Sequence, residues 1–195
     1  MAVHAFDPEK APKQNLRDLM PDVSRKLDAV LSGIEAGACL QEQSLLVQIS
    51  KSKRQLTLLR GDETLLTCRV ALGRCPKGRK QQEGDGRTPE GEYTICLVKE
   101  AGKYGRSLGL SYPNRHDADI ALREGRIDLS THLAIINRLN AGVRPPWGTP
   151  LGGEIYIHEG GSDRDWTEGC IALDEKDMDV LFGHRERIVR VEIEG

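Results

Sequence analysis

The sequence predicts a mainly β domain, an open β-sandwich or barrel-like sheet with an N-terminal helix and a helical insert. Three observations lead there. From Leu45 onward, short apolar runs alternate with polar residues at period two and are separated by turn residues. Helical patterning is found in the stretch before Leu45, in a segment in the middle of the chain and in one short run near the end. With 195 residues and 38% hydrophobic content, there is material for one good core. The expected organisation is a helical extension over 1–44 and one domain over 45–195, with a helical insert at about 113–147.

In chain order, Leu16, Leu19, Val23, Leu27, Val30, Leu31 and Ile34 fall at helical spacing between Asn15 and Ala38, with Pro21 suited to a first turn and Gly37 to an end. The simplest use of this stripe is to pack on the domain behind it. Val47 and Ile49, then Leu56 and Leu58, then Leu66, Cys68, Val70 and Leu72 mark antiparallel strands joined by Ser-Lys and Gly-Asp turns. Tyr93, Ile95 and Leu97 continue that alternation in a strand entered from the rigid Thr88-Pro89 turn. The region from Tyr104 to Gly148 is less regular, with two short helices expected around Ala118 to Glu124 and Ser130 to Leu139. Strands at Glu154 to His158 and Gly169 to Leu173 then flank a loop containing Gly160, Gly161, Ser162, Asp163, Arg164 and Asp165. Glu175 to Phe182 is a short helix capped by Asp174, and Ile188 to Ile193 is a last strand.

Composition excludes some functions. With 28 basic and 30 acidic residues the net charge is -2, which argues against a general nucleic-acid or anionic-membrane surface. Arg74, Lys77, Arg79, Lys80 and Arg87 make a basic segment, expected to be a solvated loop. No stretch is apolar enough to span a bilayer, the first residues lack the pattern of a secretory signal, and Ala36-Gly37-Ala38-Cys39 is a weak lipid-attachment signal. Five cysteines are an odd number, so if four pair, Cys170 is the natural free thiol. His116, Asp117 and Asp119, like His158, Asp163, Asp165 and Cys170, are zinc-ligand types without a ligand spacing, so neither a metal nor a cofactor is expected.

The chemistry concentrates between Ile155 and Leu173. His158 and Cys170 sit at the edges of two strand-like segments, where an imidazole can hold a thiol as thiolate and imidazolium, the pairing a cysteine nucleophile needs. Gly169 lets the backbone turn tightly, and the amides of Gly169 and Cys170 are the expected oxyanion donors. Tyr112 and Trp147, in the insert, are candidates for lining a substrate groove, with pinning of the insert to the core as the competing role.

These residues resemble the YkuD family of L,D-transpeptidases, which carry a strand histidine, a loop, and a Ser/Thr-x-Gly-Cys turn followed by an apolar strand. Here the turn is Thr167-Glu168-Gly169-Cys170, and Gly84-Asp85-Gly86-Arg87-Thr88-Pro89-Glu90-Gly91-Glu92-Tyr93 is similar to the upstream Thr-Pro-x-Gly-x-Tyr/Phe block. The resemblance covers roughly Leu45 to Ile193, and Asp165 to Ala172 match a subgroup with Asp-Trp-Thr-x-Gly-Cys-Ile-Ala. Glu168 replaces the family's frequent histidine, Ala172 its arginine after the cysteine, and Glu159 a common glycine. These departures bear on how a substrate carboxylate is held.

The resemblance implies a YkuD-type fold and cysteine-dependent acyl transfer on peptidoglycan stem peptides, in the periplasm or elsewhere outside the cytoplasm, with no metal. Cys170 would attack the carbonyl at the L-centre of a diamino acid, and His158 would protonate the leaving D-amino acid. A backbone carbonyl of Glu159 or Gly160 would orient the imidazole, and Trp166, Thr167 and Glu168 join Tyr112 and Trp147 as candidate substrate contacts. An amine acceptor gives an L,D-transpeptidase; water gives an L,D-carboxypeptidase or endopeptidase. A dead site would leave a peptidoglycan-binding module.

Overall fold

The computed structural model describes residues 44–195; the helix expected between Asn15 and Ala38, and Cys39, lie outside the described residues. The strands are β1 (Leu45–Ser50), β2 (Gln55–Arg60), β3 (Glu63–Arg69), β4 (Gly91–Tyr93), β5 (Ile95–Lys99), β6 (Ser107–Leu110), β7 (Tyr156–Glu159), β8 (Ile171–Leu173) and β9 (Ile188–Glu194). Helices α1 (Arg115–Arg123) and α2 (Leu129–Asn140) lie between β6 and β7, and α3 (Glu175–Gly183) follows β8. The strands form two open sheets, ordered β3-β2-β1-β9-β4 and β5-β6-β7-β8, so the barrel-like alternative gives way to a mixed sheet sandwich with helices.

The hydrophobic alternation explains the layering. Val47 and Ile49 of β1, Leu56 and Leu58 of β2, Val191 and Ile193 of β9, Leu108 and Leu110 of β6, Ile157 of β7, and Ile171 and Leu173 of β8 are all buried in one cluster. Each such aliphatic side chain removed from water contributes about 1.5–3 kcal/mol. Met178, Leu181 and Phe182 on one face of α3 join this core. A second, smaller core of Ala118, Ala121, Ile127, Ile135, Ile136 and Leu151 holds α1 against α2. Asn114 and Asp117 form a capping box at the start of α1, and Asp128 caps α2 by accepting from the Thr131 amide.

Several expectations are corrected. The β1-β2 and β2-β3 pairs are antiparallel as predicted; β1-β9 and β7-β8, for which the sequence set no direction, are parallel. The run from Tyr93 to Leu97 is two strands in different sheets rather than one. Strand β6 has no counterpart in the sequence reading: Ser-Leu-Gly-Leu is buried at every position, so it lacks alternation, and Tyr156 and Leu97 fill the space where Gly109 has no side chain. Asp174 does stand at the N-cap of α3 but makes no side-chain cap bond; its carboxylate accepts from the Ser162 amide and hydroxyl instead. The basic segment is not a solvated loop throughout. Lys80 is buried against Asp85 at 2.9 Å, and Arg79 pairs with buried Asp117 at 3.1 Å.

Candidate active site

Strand pleating brings the histidine and the cysteine to one face. Ile157 and Ile171 point into the core from paired positions on β7 and β8, so His158 and Cys170, each one residue away, emerge on the opposite side of the sheet. They line a common cleft of about 550 Å³ with Tyr104, Tyr156 and Trp166. Cys170 also opens to a second cleft of about 630 Å³ on the Trp147 side, and Glu154 and Glu168 border both.

The turn that presents the thiol is tied down from three directions. Thr167 is buried, its Oγ1 accepting from the Gly169 amide at 3.1 Å and donating to the Cys170 carbonyl at 2.7 Å. Asp165 takes a forked pair of bonds from Arg54, at 3.0 and 2.7 Å to one oxygen, and accepts from the Leu72 amide at 3.0 Å. Gly169 has φ of +132°, and a Cβ there would lie 2.7 Å from the Arg87 carbonyl oxygen, so only glycine fits. Arg87 belongs to the Gly84 to Tyr93 block, and Thr88 Oγ1 accepts from the Gly73 amide at 3.0 Å. The two sequence blocks are thus one packed unit.

His158 is buried, and its Nδ1 lies 2.5 Å from the carbonyl oxygen of Glu159. The orienting carbonyl is that of Glu159 rather than Gly160. Gly160 acts sterically: at φ +137° it leaves room for the Trp166 ring, whose Cζ2 would lie 2.8 Å from a Cβ. Trp166 meets the imidazole edge-on at 5.7 Å, and Tyr104 stacks on it at 4.9 Å with 23° between planes. The imidazole is therefore bracketed by two aromatic rings, and Nε2 is the ring nitrogen not bonded to the strand backbone.

Cys170 Sγ lies 3.4 Å from the Tyr156 amide, which donates to it, and 3.4 Å from the Glu154 carbonyl, which accepts from it. Glu154 holds that carbonyl in place from a left-handed backbone conformation, φ +54°, uncommon for a residue with a side chain. Burial pushes the Cys170 thiol above its ordinary value, partly offset by the Tyr156 amide, and burial lowers His158, partly offset by the Glu159 carbonyl. Both shifts favour the neutral forms, a thiol and an imidazole, over the thiolate and imidazolium that the sequence allows.

The remaining candidates divide. Trp166, Thr167 and Glu168 line the cleft with Cys170. Trp147 lines the second cleft, donates from Nε1 to the Tyr112 carbonyl at 3.1 Å and meets Tyr156 edge-on at 5.6 Å, so it serves groove and core together. Tyr112 is fully buried with its hydroxyl on the Leu151 carbonyl at 3.2 Å; the groove role expected for it gives way to a core role. Gly169's amide is occupied by Thr167, so an oxyanion must compete with that hydroxyl for it. Asp117 is held by Arg79 and Tyr93, and Asp119 by His132 at 2.6 Å. Cys68, Cys75, Cys96 and Cys170 are free thiols, and burial pushes Cys68 up to about 12, an inert core position. Tyr104, Glu154, Asp165 and Tyr156 were not singled out as site residues from sequence; only Asp165, inside the Asp-Trp-Thr motif, carried a signal.

No curated protein sequence matches this chain. Among solved structures it is similar to the helical cell shape determining protein Pgp2 from Campylobacter jejuni, at 22% identity and a TM-score of 0.53, over 77% of this chain and 47% of that one. A mutant of the same protein gives 24% and 0.55 over the same shares. An L,D-transpeptidase from Xylanimonas cellulosilytica is similar at 11% identity and a TM-score of 0.46, over 77% of this chain and 60% of that one. The chain thus spans about half the length of the Pgp2 structures, 47%, and the likeness is one of fold. The YkuD family model, L,D-transpeptidase catalytic domain, matches residues 44–193, which take in both sheets and the Thr167–Cys170 turn, and the chain belongs to that family.

Proposed function

We propose that this domain cleaves peptidoglycan stem peptides through a Cys170 thioester, releasing a C-terminal D-amino acid and passing the acyl group to water, as an L,D-carboxypeptidase. The observation that carries the chemistry is the His158 imidazole, pinned through Nδ1 by the Glu159 carbonyl in the cleft that Cys170 lines. As Sγ bonds to the carbonyl carbon at the L-centre, the thiol proton passes to Nε2 of His158. The C–N bond then breaks, and that proton goes to the leaving amine. Water attacks the thioester, gives a proton to His158, and the sulfur leaves as the thiol. The oxyanion is expected to draw the Gly169 amide away from Thr167 Oγ1, with the Cys170 amide as second donor.

Charge in the cleft favours water over an amine. Arg74 and Glu168 cancel each other at 2.7 Å, leaving Lys99 and Lys103 against Glu154 on the wall around His158. An ammonium acceptor meets net repulsion there, whereas a leaving carboxylate is attracted. The transpeptidase outcome expected from the sequence is the other fate of the same thioester. Since such peptides lie outside the cytoplasmic membrane, the proposed place of action is the periplasm or beyond. Among the described residues no helix is long and apolar enough to cross a membrane.

The test is incubation of the protein with a disaccharide tetrapeptide, with and without a diamino-acid amine, and identification of products by mass. A tripeptide with no amine adduct supports the hydrolase; cross-linked dimers or amine adducts make it a transpeptidase. Absence of any Cys170-dependent product from a folded protein on several donor peptides rejects both.

A further inference from the structure

Lys99 stands in the same cross-strand row as the histidine. It pairs with Ser107 across β5 and β6, Ser107 pairs with His158 across β6 and β7, and paired positions share a sheet face. With strands about 4.8 Å apart, Lys99 is two strand spacings from His158. Its Nζ lies over the Tyr156 ring, 4.4 Å from the centroid, and Tyr156 is the residue whose amide donates to Cys170 Sγ. Lys99 also lines the cleft that contains both His158 and Cys170.

The cations around the cleft differ in what they already hold. Arg74 is paired with Glu168 at 2.7 Å, and Lys80, behind the thiol, with Asp85 at 2.9 Å. Lys103 rests over Tyr104 at 5.0 Å, on the loop between β5 and β6. Among the described residues Lys99 has no carboxylate within ion-pair distance, although Glu154 lies on the same wall. It is solvent-exposed and propped on a ring, with a net charge available to a ligand. Two residues after Cys170, Ala172 is small and fully buried and offers a ligand no charge.

We propose that Lys99 binds the free α-carboxylate of the substrate's C-terminal residue, which makes the site a reader of chain ends. This rests on the acyl-transfer reading for which bond is cut: the leaving amine takes its proton from His158, so the leaving residue occupies the cleft on the His158 side, where Lys99 stands. A peptide whose C-terminal carboxyl is amidated loses this contact, as does one cleaved internally.

Two measurements test the proposal, one independent of turnover. Cys170 is alkylated with iodoacetate and with iodoacetamide, and its modification is followed by peptide mass spectrometry in wild type, Lys99→Gln and Lys99→Arg. The iodoacetate-to-iodoacetamide rate ratio at Cys170 should fall about tenfold in Lys99→Gln and recover in Lys99→Arg, with the ratio at exposed Cys75 unchanged. An unchanged ratio at Cys170 overturns the anion site, whether or not the protein turns over any peptide. In the second arm, wild type should prefer a tetrapeptide acid over its amide by about tenfold in kcat/KM, and Lys99→Gln should abolish that preference through KM. A preference that survives in Lys99→Gln overturns the carboxylate assignment. Lys99 is exposed, so equal melting temperatures are expected for all three proteins.

Discussion

His158 Nδ1 and the Glu159 carbonyl oxygen lie 2.5 Å apart, a bond between neighbouring residues of one strand. A carbonyl only accepts, so the ring proton belongs on Nδ1 and the lone pair on Nε2. The strand backbone thereby sets the tautomer that the proposed mechanism needs, and among the described residues no carboxylate bonds to the ring.

The first prediction concerns pH. Burial lowers His158 from its ordinary 6.5 and raises Cys170 from 9.0, so the working pair is neutral between those values. The acid limb of kcat/KM should have its midpoint below 6.5, and alkylation of Cys170 by iodoacetamide should still be climbing at 9.0. A resting ion pair would instead give an alkylation plateau near neutrality. Stability has the same sign: as pH falls through 6.5 the unfolded chain takes the proton first, so His158 contributes a loss of stability on acidification.

Gly160→Ala should harm activity more than stability. The added Cβ meets the Trp166 ring at 2.8 Å and must adopt φ +137°, at a cost of about 1–3 kcal/mol. Displacing Trp166 releases one of the two rings that bracket His158, and kcat should fall by about tenfold or more. Thermal melting and steady-state kinetics check the two effects separately; a wild-type kcat would mean that the ring does not position the imidazole.

Thr167→Val removes the hydroxyl that joins the Gly169 amide to the Cys170 carbonyl. It leaves a buried donor unpaired, for about 1–3 kcal/mol, and lets the nucleophile turn shift. Thr167→Ser keeps both bonds and should retain most of the activity. Equal kinetics for the valine and serine variants would contradict this role.

Lys51 offers a test of the fold away from the thiol. Its buried Nζ donates to the Gly78 carbonyl at 2.7 Å, to the Thr88 carbonyl at 2.9 Å and to Glu90 at 2.7 Å, fastening the Gly84 to Tyr93 block to β1. Lys51→Met should cost roughly 2–4 kcal/mol, less than for a fully buried pair because Glu90 keeps some exposure. Denaturant unfolding measures it, and a loss under about 1 kcal/mol would mean that the block is held by packing alone.

Much of this was legible because local pattern and tertiary role agree. Strands β1 and β2 alternate cleanly, β9 does so from Val191 to Ile193, and His158 and Cys170 lie on either side of buried isoleucines that fix their common face. Strand β6 was not legible, since a strand buried at all four positions carries no period of two. Tyr112 misled for a related reason: an aromatic in an irregular segment looks available to ligand, yet its hydroxyl finds a carbonyl and the ring is fully buried. Lys99 and Tyr104 depend on cross-strand pairing and loop return, which no local motif encodes. The desolvation that lowers His158 and raises Cys170 was not legible either, because spacing says nothing about burial.

The central claim is that Cys170 forms a thioester with loss of a C-terminal D-residue. The most direct measurement is intact mass under rapid acid quench, with assay of released D-amino acid, for wild type and Cys170→Ala given a disaccharide tetrapeptide. The account predicts an acyl adduct on wild type, at the mass of the substrate minus its terminal residue, together with free D-amino acid, and neither from Cys170→Ala. Release of D-amino acid that persists in a folded Cys170→Ala protein would contradict it.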